Sequence, residues 1–128
     1  MKKLEKLFTP IKIGGMELRN RCVQAPMYVG LSEWGGEISD REIAYHVARA
    51  KGGFALLQPG VASVHPVGKA FPCCPELSDD RFIPGWEKLA RAVHAHGAKL
   101  APQLQDAGNK VVPDLPGTTP RGPSPVSY

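Results

Sequence analysis

One glutamine, Gln103, has the chemistry to recognise a planar polar ligand. It lies near the end of the apolar run 99–104, and its amide presents two N–H donors and a carbonyl acceptor in one plane. The pyrimidine edge of a flavin carries carbonyl acceptors on either side of an N–H donor, which such an amide can match from the side. A buried amide bonded to neighbouring backbone is an equally good interpretation, and the sequence leaves both open.

A second candidate is Ala25-Pro26-Met27-Tyr28, at the end of the run 22–27. Because proline has no N–H, the amide donors at this corner belong to Met27 and Tyr28. Such donors can face the N5 and O4 side of a flavin. The alternative is that Pro26 only terminates a strand.

The other reactive side chains form no recognisable catalytic or metal-binding group. His94 and His96 are two residues apart, about 200° around a helix, so they do not share a face. No cysteine pair has CxxC spacing, and a disulfide between neighbouring Cys73 and Cys74 would be strained. We therefore interpret the cysteines as reduced thiols, with a reactive Cys22 as the functional alternative. The paired glycines lack the GxGxxG order of dinucleotide sites.

The two candidate sites belong to three short apolar runs, at 22–27, 54–60 and 99–104. An amphipathic helix pattern separates each run from the next, which predicts a β-α repeat. In parallel α/β folds, ligands bind at the carboxyl ends of strands. Three strands are too few to close a barrel, so the sequence predicts an incomplete α/β fold.

Local signals place the elements between these runs. Ser39, with Glu42 three residues later, is a capping box that starts helix one. Pro102 removes one ladder donor from strand three, which marks a bulge or weakens that assignment. The predicted elements are a hairpin at 11–15, strand one at 22–27, helix one from Ser39 to Gly52-Gly53, strand two at 54–58, helix two from Pro84 to Gly97, and strand three at 98–104.

Composition limits the class of protein. The 128 residues are 42% apolar and 22% charged, as in soluble globular chains. The net charge of +4 is not arranged as a basic stripe with aromatics, so no nucleic-acid partner is expected. No apolar stretch reaches the roughly 18 residues that span a membrane, and no signal peptide is evident. Reduced thiols then favour the cytoplasm. The proline-rich segment 113–128 is expected to be mobile or loosely packed.

Short motifs in order along almost the whole chain add a family resemblance. They are Leu7-Phe8-Thr9-Pro10, Leu18-Arg19-Asn20-Arg21, Ala25-Pro26-Met27, Ala50-Lys51-Gly52-Gly53, Val64-His65-Pro66-Val67-Gly68-Lys69, Val93-His94-Ala95-His96-Gly97-Ala98-Lys99, Gln103-Leu104 and Pro123-Ser124. Each motif is weak alone. Together, at this spacing, they resemble the N-terminal portion of the old yellow enzyme group, the NADH:flavin oxidoreductases that include 2,4-dienoyl-CoA reductases.

The resemblance implies a (β/α)8 TIM barrel, of which residues 1–128 carry an N-terminal hairpin and the first three β-α units. It implies FMN at the carboxyl ends of the strands, NAD(P)H as the electron donor, and a small enone or enoyl-type substrate whose activated C=C bond is reduced. The residues that would bind FMN are Ala25, Pro26, Met27, Tyr28, Gly60, Val61 and Gln103.

The chain also departs from the family pattern QLxHxGR, because Asp106 and Asn109 stand at its His and Arg positions. A carboxylate there would repel an anionic reduced flavin if it lay close. The family's later catalytic and phosphate-binding parts have no counterpart in these residues, so the catalytic residues are unknown. We expect the isolated chain to bind FMN poorly and to be inactive alone.

Two alternatives remain. The chain could be a barrel-completing subunit or interaction module of a larger flavoprotein, with a second chain supplying the rest of the barrel. An aldolase-like barrel with a Schiff-base lysine is the other alternative. It is disfavoured because Lys99 lies at the start of its strand, the wrong end for such a site.

Overall fold

The computed structural model describes residues 4–112 and 115–124 of the chain. Its centre is a parallel three-stranded sheet in the order β3-β4-β6, with two helices as the connections. The predicted α/β architecture, the first part of a TIM barrel, is confirmed. The strands and helices are β1 (Ile11–Ile13), β2 (Met16–Leu18), β3 (Val23–Met27), α1 (Asp40–Lys51), β4 (Leu56–Pro59), β5 (Ala62–Ser63), α2 (Ile83–His94), β6 (Lys99–Leu100) and β7 (Leu104–Gln105).

Helix α2 buries one face against the sheet. Trp86, Leu89 and Val93 recur at spacings of three and four residues, and they pack with Leu57 of β4 in the main core cluster. The indole N–H of Trp86 donates to the carbonyl of Glu76 at 2.7 Å. The ring is therefore buried with its one polar atom paired.

Helix α1 buries two polar side chains, Glu42 and His46, and its capping box differs from the prediction. The hydroxyl of Ser39 accepts from the amide of Glu42 at 3.1 Å, as an N-cap should. The Glu42 carboxylate turns inward, accepts from the hydroxyl of Ser32, and lies 3.9 Å from Nε2 of His46. The capping box is therefore only half formed, because the carboxylate is used inside the protein.

The predicted hairpin, β1 and β2, packs at the start of the parallel strands. Leu18 joins Ala55 and Leu56 in a second, smaller core cluster. The next residue, Arg19, donates to the carbonyls of Ala50 and His96, each at 2.8 Å. These carbonyls lie at the C-terminal ends of the two helices, where a positive charge is favourable. Arg19 thus ties the hairpin to both helices.

The third strand is interrupted, and the predicted span of 98–104 was too simple. Strand β6 ends at Leu100 and β7 begins at Leu104. The amides of Ala101 and Gln103 still donate to β4 carbonyls, at 3.0 and 2.9 Å. Pro102 lies between them, at a position whose N–H would face the other edge. The proline therefore removes no hydrogen bond to β4.

The outer edges of β3 and β6 pair with no strand among the described residues. In the tail, the amide of Thr119 donates to Val67 at 3.2 Å and that of Arg121 donates to Gly108 at 3.0 Å. Residues 113, 114 and 125–128 of the predicted proline-rich tail lie outside the described part. Its mobility stays a prediction.

Candidate functional site

The carboxyl ends of β3 and β4 approach each other at Gly60. A Cβ on this residue would lie 2.8 Å from the amide nitrogen of Met27 and 2.8 Å from Cβ of Pro26. Such a distance is well inside van der Waals contact, and so any side chain at position 60 would push the strands apart. The peptide bond from Gly60 to Val61 is cis. The absence of a side chain here keeps the two strand ends together.

Both strands carry an irregularity at this place. Strand β3 advances three residues from Gln24 to Met27 while β4 advances two, from Leu57 to Pro59. An extra residue of this kind is a β-bulge, a device that turns side chains and is frequent beside active sites. The predicted site residues Ala25 and Pro26 lie inside this bulge, although it left no signal in the apolar pattern.

A second bulge follows on the other side of β4. The chain advances five residues from Leu57 to Ala62, while its partner advances four, from Leu100 to Leu104. Gly60 and Val61 lie within the longer stretch. The two bulges together therefore contain Ala25, Pro26, Gly60 and Val61, four of the predicted site residues.

Gln103 lies on the opposite side of Pro59 from Met27. Its amide donates to the Pro59 carbonyl at 2.9 Å, and its own carbonyl accepts from Ala62 at 2.8 Å. Met27 pairs with the same Pro59 from β3. The Gln103 side chain is exposed and makes no hydrogen bond among the described residues. In this structure the Gln103 side chain is therefore not a buried amide bonded to neighbouring backbone, and its contact with a flavin stays a prediction.

Tyr28 uses its side chain elsewhere. Its ring stacks on Phe71, with centroids 4.7 Å apart, and its hydroxyl donates to the carbonyl of Pro72. Burial, with the neighbouring thiols of Cys73 and Cys74 as smaller causes, raises the pKa of this phenol. The side chain of Tyr28 is thus held by the loop after β5. The Met27 side chain beside it is half exposed.

Asp106 is neutralised by a neighbour that sequence reasoning did not connect to it. One carboxylate oxygen accepts from the amide of Gly108 at 2.9 Å, and the other is 2.6 Å from a guanidinium nitrogen of Arg121. The expected repulsion of an anionic ligand is therefore reduced by an adjacent positive charge. The ion pair joins the loop after β7 to the later segment of the chain that carries Arg121. Asn109 is half-buried in the same loop.

The loop after β5 is held by an internal ion pair. Lys69 lies 2.5 Å from the carboxylate of Glu76, and both side chains are almost fully buried. The hydroxyl of Ser78 donates to the second oxygen of Glu76 at 2.8 Å. Buried charges of this kind need a partner to avoid a large desolvation cost. No sequence motif predicts this ion pair, because an irregular loop separates Lys69 from Glu76.

Cys74 also contacts the candidate site, a contact that no sequence motif predicts. The fully buried thiol donates to the carbonyl of Val61 at 3.0 Å. All three cysteines are free, as predicted. Lys99 lies at the start of β6, away from the strand ends that carry the candidate residues. Across residues 4–112 and 115–124, no group of three or more His, Cys, Asp or Glu side chains could hold a metal ion.

The arrangement offers a planar, polar ligand an exposed amide beside a strand corner that lacks a side chain. Gln103 can both donate and accept in one plane. Gly60, which has no side chain, allows close approach to the backbone.

None of the helices within the described residues is long and apolar enough to cross a membrane.

Comparison with known proteins shows which sequences and folds this chain resembles. The sequence profile of the NADH:flavin oxidoreductase / NADH oxidase family matches residues 6–128. The chain is 41% identical over 120 residues to a metal reductase of Desulforamulus reducens, covering 94% of this chain and 18% of that protein. It is 40% identical over 128 residues to an NADH oxidase of Thermoanaerobacter brockii, covering 98% of this chain and 20% of that protein.

The fold is similar to that of a solved old yellow enzyme from Pichia. The TM-score is 0.78 at 28% identity, with 83% of this chain and 28% of the other chain covered. The chain thus spans about a fifth of the length of the two curated relatives.

Proposed function

The chain belongs to the NADH:flavin oxidoreductase / NADH oxidase family, and on this premise we propose that it builds one side of the FMN site of an NAD(P)H-dependent oxidoreductase. The observation that carries the proposal is the meeting of two bulged strand ends at Gly60, beside the exposed amide of Gln103. Ligands of parallel α/β folds bind at this end of the strands.

The residues present fit the pyrimidine part of a flavin. Gln103 has an unengaged amide that can donate to one ring carbonyl and accept from the ring N–H. Tyr28 supplies a backbone amide at the neighbouring corner. The amide of Met27 is engaged in the β3–β4 ladder, because its bridge partner Pro59 has no N–H to donate, so Met27 contributes its half-exposed side chain. Ala25, Pro26, Gly60 and Val61 form the bulged surface around this corner. The Asp106 carboxylate does not oppose this fit, because Arg121 lies 2.6 Å from it.

The chemistry that FMN supplies when bound is two-electron transfer between NAD(P)H and an acceptor. We propose an ene-reductase type of reaction, with a small enone or enoyl-type molecule as the substrate. The part played by this chain is to bind and orient the ring edge. Its described residues include no assigned acid or base for the reduction.

The site is incomplete with three strands. The outer edges of β3 and β6 have no partner strand among the described residues, and unpaired edges of this kind favour pairing with further strands. We propose that additional strands, in a longer form of this chain or in a second chain, close the barrel and complete the FMN site. The same edges favour the alternative function, a barrel-completing subunit of a larger flavoprotein. We also propose a cytoplasmic location, which the three free thiols of this chain support.

A titration with FMN tests the proposal on the 128-residue chain. Quenching of FMN fluorescence should show weak but saturable binding. Gln103→Leu removes both donors and the acceptor and should weaken the affinity about tenfold, the effect of a lost hydrogen bond of about 1.4 kcal/mol. Lys99→Gln changes the start of β6, four residues before Gln103 and at the opposite end of the sheet, and should leave the affinity unchanged.

Two results would contradict the proposal. One is a complete lack of saturable binding by the folded wild-type chain. The other is an equal loss of affinity in the Lys99 and Gln103 variants, which would point to a general loss of structure. Steady NADH oxidation by the purified 128-residue chain would instead contradict the claim that further strands are required.

A further inference from the structure

The segment 74–76 runs parallel to β5 and is hydrogen-bonded to it like a neighbouring strand. The amide of Ser63 donates to the carbonyl of Pro75 at 2.8 Å, and the amide of Leu77 donates back to Ser63 at 2.8 Å. This is the alternation of a parallel ladder, and an isolated parallel bridge links Ser63 with Glu76. In such a ladder, the residue two positions before Leu77 donates to the residue two positions before Ser63.

That position is occupied by a proline. The next donor of the ladder would be the amide of residue 75, and its acceptor would be the carbonyl of Val61. Pro75 has no N–H to give. The structure fills the gap with a side chain, since the Cys74 thiol donates to the Val61 carbonyl at 3.0 Å.

We propose that Cys74 is a positioning residue for the turn at Gly60-Val61, and that its thiol replaces the amide hydrogen that Pro75 lacks. The inference rests on the proposed function only where it concerns FMN, because the ladder itself is independent of any ligand. Holding the Val61 carbonyl fixes the turn whose other face meets Met27.

The surroundings of the thiol suit this role. Cys74 is fully buried, and burial is the main reason that its pKa is raised, which keeps the group protonated and able to donate. An S–H is a weak donor. However, leaving the Val61 carbonyl without a donor among fully buried groups would lower the free energy of unfolding, so even this weak hydrogen bond contributes to stability.

Amide hydrogen exchange of the 128-residue chain tests the inference without FMN. Cys74→Ala should speed exchange at Ala62 and Ser63 about tenfold. Cys74→Ser keeps a donor and should restore most of the protection. Cys74→Ala combined with Pro75→Ala supplies the missing backbone N–H and should also restore it. Cys22→Ala, which removes a thiol elsewhere, is the matched control and should leave exchange unchanged.

Several outcomes would overturn the inference. Unchanged exchange in Cys74→Ala would show that the thiol holds nothing. Equally fast exchange in the Cys74→Ala and Cys74→Ser variants would show that the sulfur only fills space. Failure of Pro75→Ala to restore protection in the double variant would refute the replacement of an amide.

A second readout separates this inference from the proposed function. In the wild-type chain, FMN should shift the amide resonances of Met27 and Gly60, and Cys74→Ala should reduce these shifts while Cys74→Ser retains them. If the exchange pattern holds but FMN shifts neither amide, the proposed function fails and the positioning of the turn stands. If FMN shifts both amides equally in all variants, the positioning role fails and the proposed function stands.

Discussion

Gly60 and Met27 meet so closely that a Cβ on Gly60 would lie 2.8 Å from the Met27 amide nitrogen. Met27 ends β3 and Gly60 directly follows β4, and each belongs to a stretch with one residue more than its partner. Bulges re-aim the chain near functional sites. This contact sets the shape of the corner that we assign to FMN.

Gly60→Ala should therefore separate the two strand ends. The added methyl group has no space against backbone, and overpacking of this kind costs about 1–3 kcal/mol of unfolding free energy. Urea denaturation measures the change. Gly15→Ala is the matched control, since a Cβ there meets nothing within 4 Å. Equal stability of the two variants would show that the strand ends can relax apart freely.

Arg19→Ala should destabilise the whole fold. The guanidinium donates to Ala50, Phe54 and His96, and its loss leaves carbonyls at both helix ends without a charged donor. Hydrogen bonds to charged groups contribute about 1.5–3 kcal/mol each when buried, so a total of about 2 kcal/mol is expected at this partly exposed site. Thermal unfolding measures it. Arg41→Ala removes an exposed arginine of α1, and a comparable loss there would argue against the capping role.

Alkaline pH should weaken the protein through Cys74. Burial raises the thiol pKa above the ordinary 9.0. The folded state therefore holds the proton more tightly than the unfolded state, so this contribution is complete below about pH 9 and is lost as the pH rises through the folded-state pKa. Unfolding free energies measured across this range should decline in the wild type.

Cys74→Ser should flatten the first part of that decline. A second part belongs to Tyr28, whose pKa is raised above 10.0, and it should persist in the variant. An unchanged pH profile in Cys74→Ser would mean that the thiol does not titrate differently in the folded state.

The ion pair of Asp106 with Arg121 should contribute little by its charge. The two side chains are 37% and 46% exposed, and exposed pairs are worth about 0–1 kcal/mol. Asp106→Asn keeps an oxygen for the Gly108 amide and should lower stability by less than about 1 kcal/mol. Asp106→Ala loses this bond as well and should cost more.

Salt separates the two effects of Asp106. The difference between the wild type and Asp106→Asn should vanish in 1 M NaCl, where the Debye length is about 3 Å. Arg121→Gln should behave like Asp106→Asn. A large loss in Asp106→Asn that survives high salt would show that the carboxylate has a role beyond this pair.

Much of the fold could be predicted from the sequence. Ser39 and the pair Gly52-Gly53 bracket α1 at Asp40–Lys51, and the apolar spacing from Trp86 to Val93 identifies the buried face of α2. These signals are local, since caps and periodicity act within one or two turns. The resemblance to a flavin oxidoreductase family also rests on short local motifs, and it is confirmed by the family match.

The features that shape the site could not be predicted in this way. A bulge adds one residue to a strand too short to show a break in its pattern. Glu42 and His46 are buried polar residues of α1, and the partner of the Glu42 carboxylate, Ser32, lies ten residues earlier in the chain, where no helix signal reports it. The thiol bond of Cys74 depends on the register of β5, which no local signal reports.

The most direct measurement is a map of FMN binding on the 15N-labelled 128-residue chain by NMR. We expect the largest shifts on the amides of Met27, Gly60 and Gln103, with little change at Lys12 and Glu17 in the hairpin. Shifts concentrated on the hairpin, or none at the three strand ends at FMN concentrations that saturate fluorescence quenching, would contradict it.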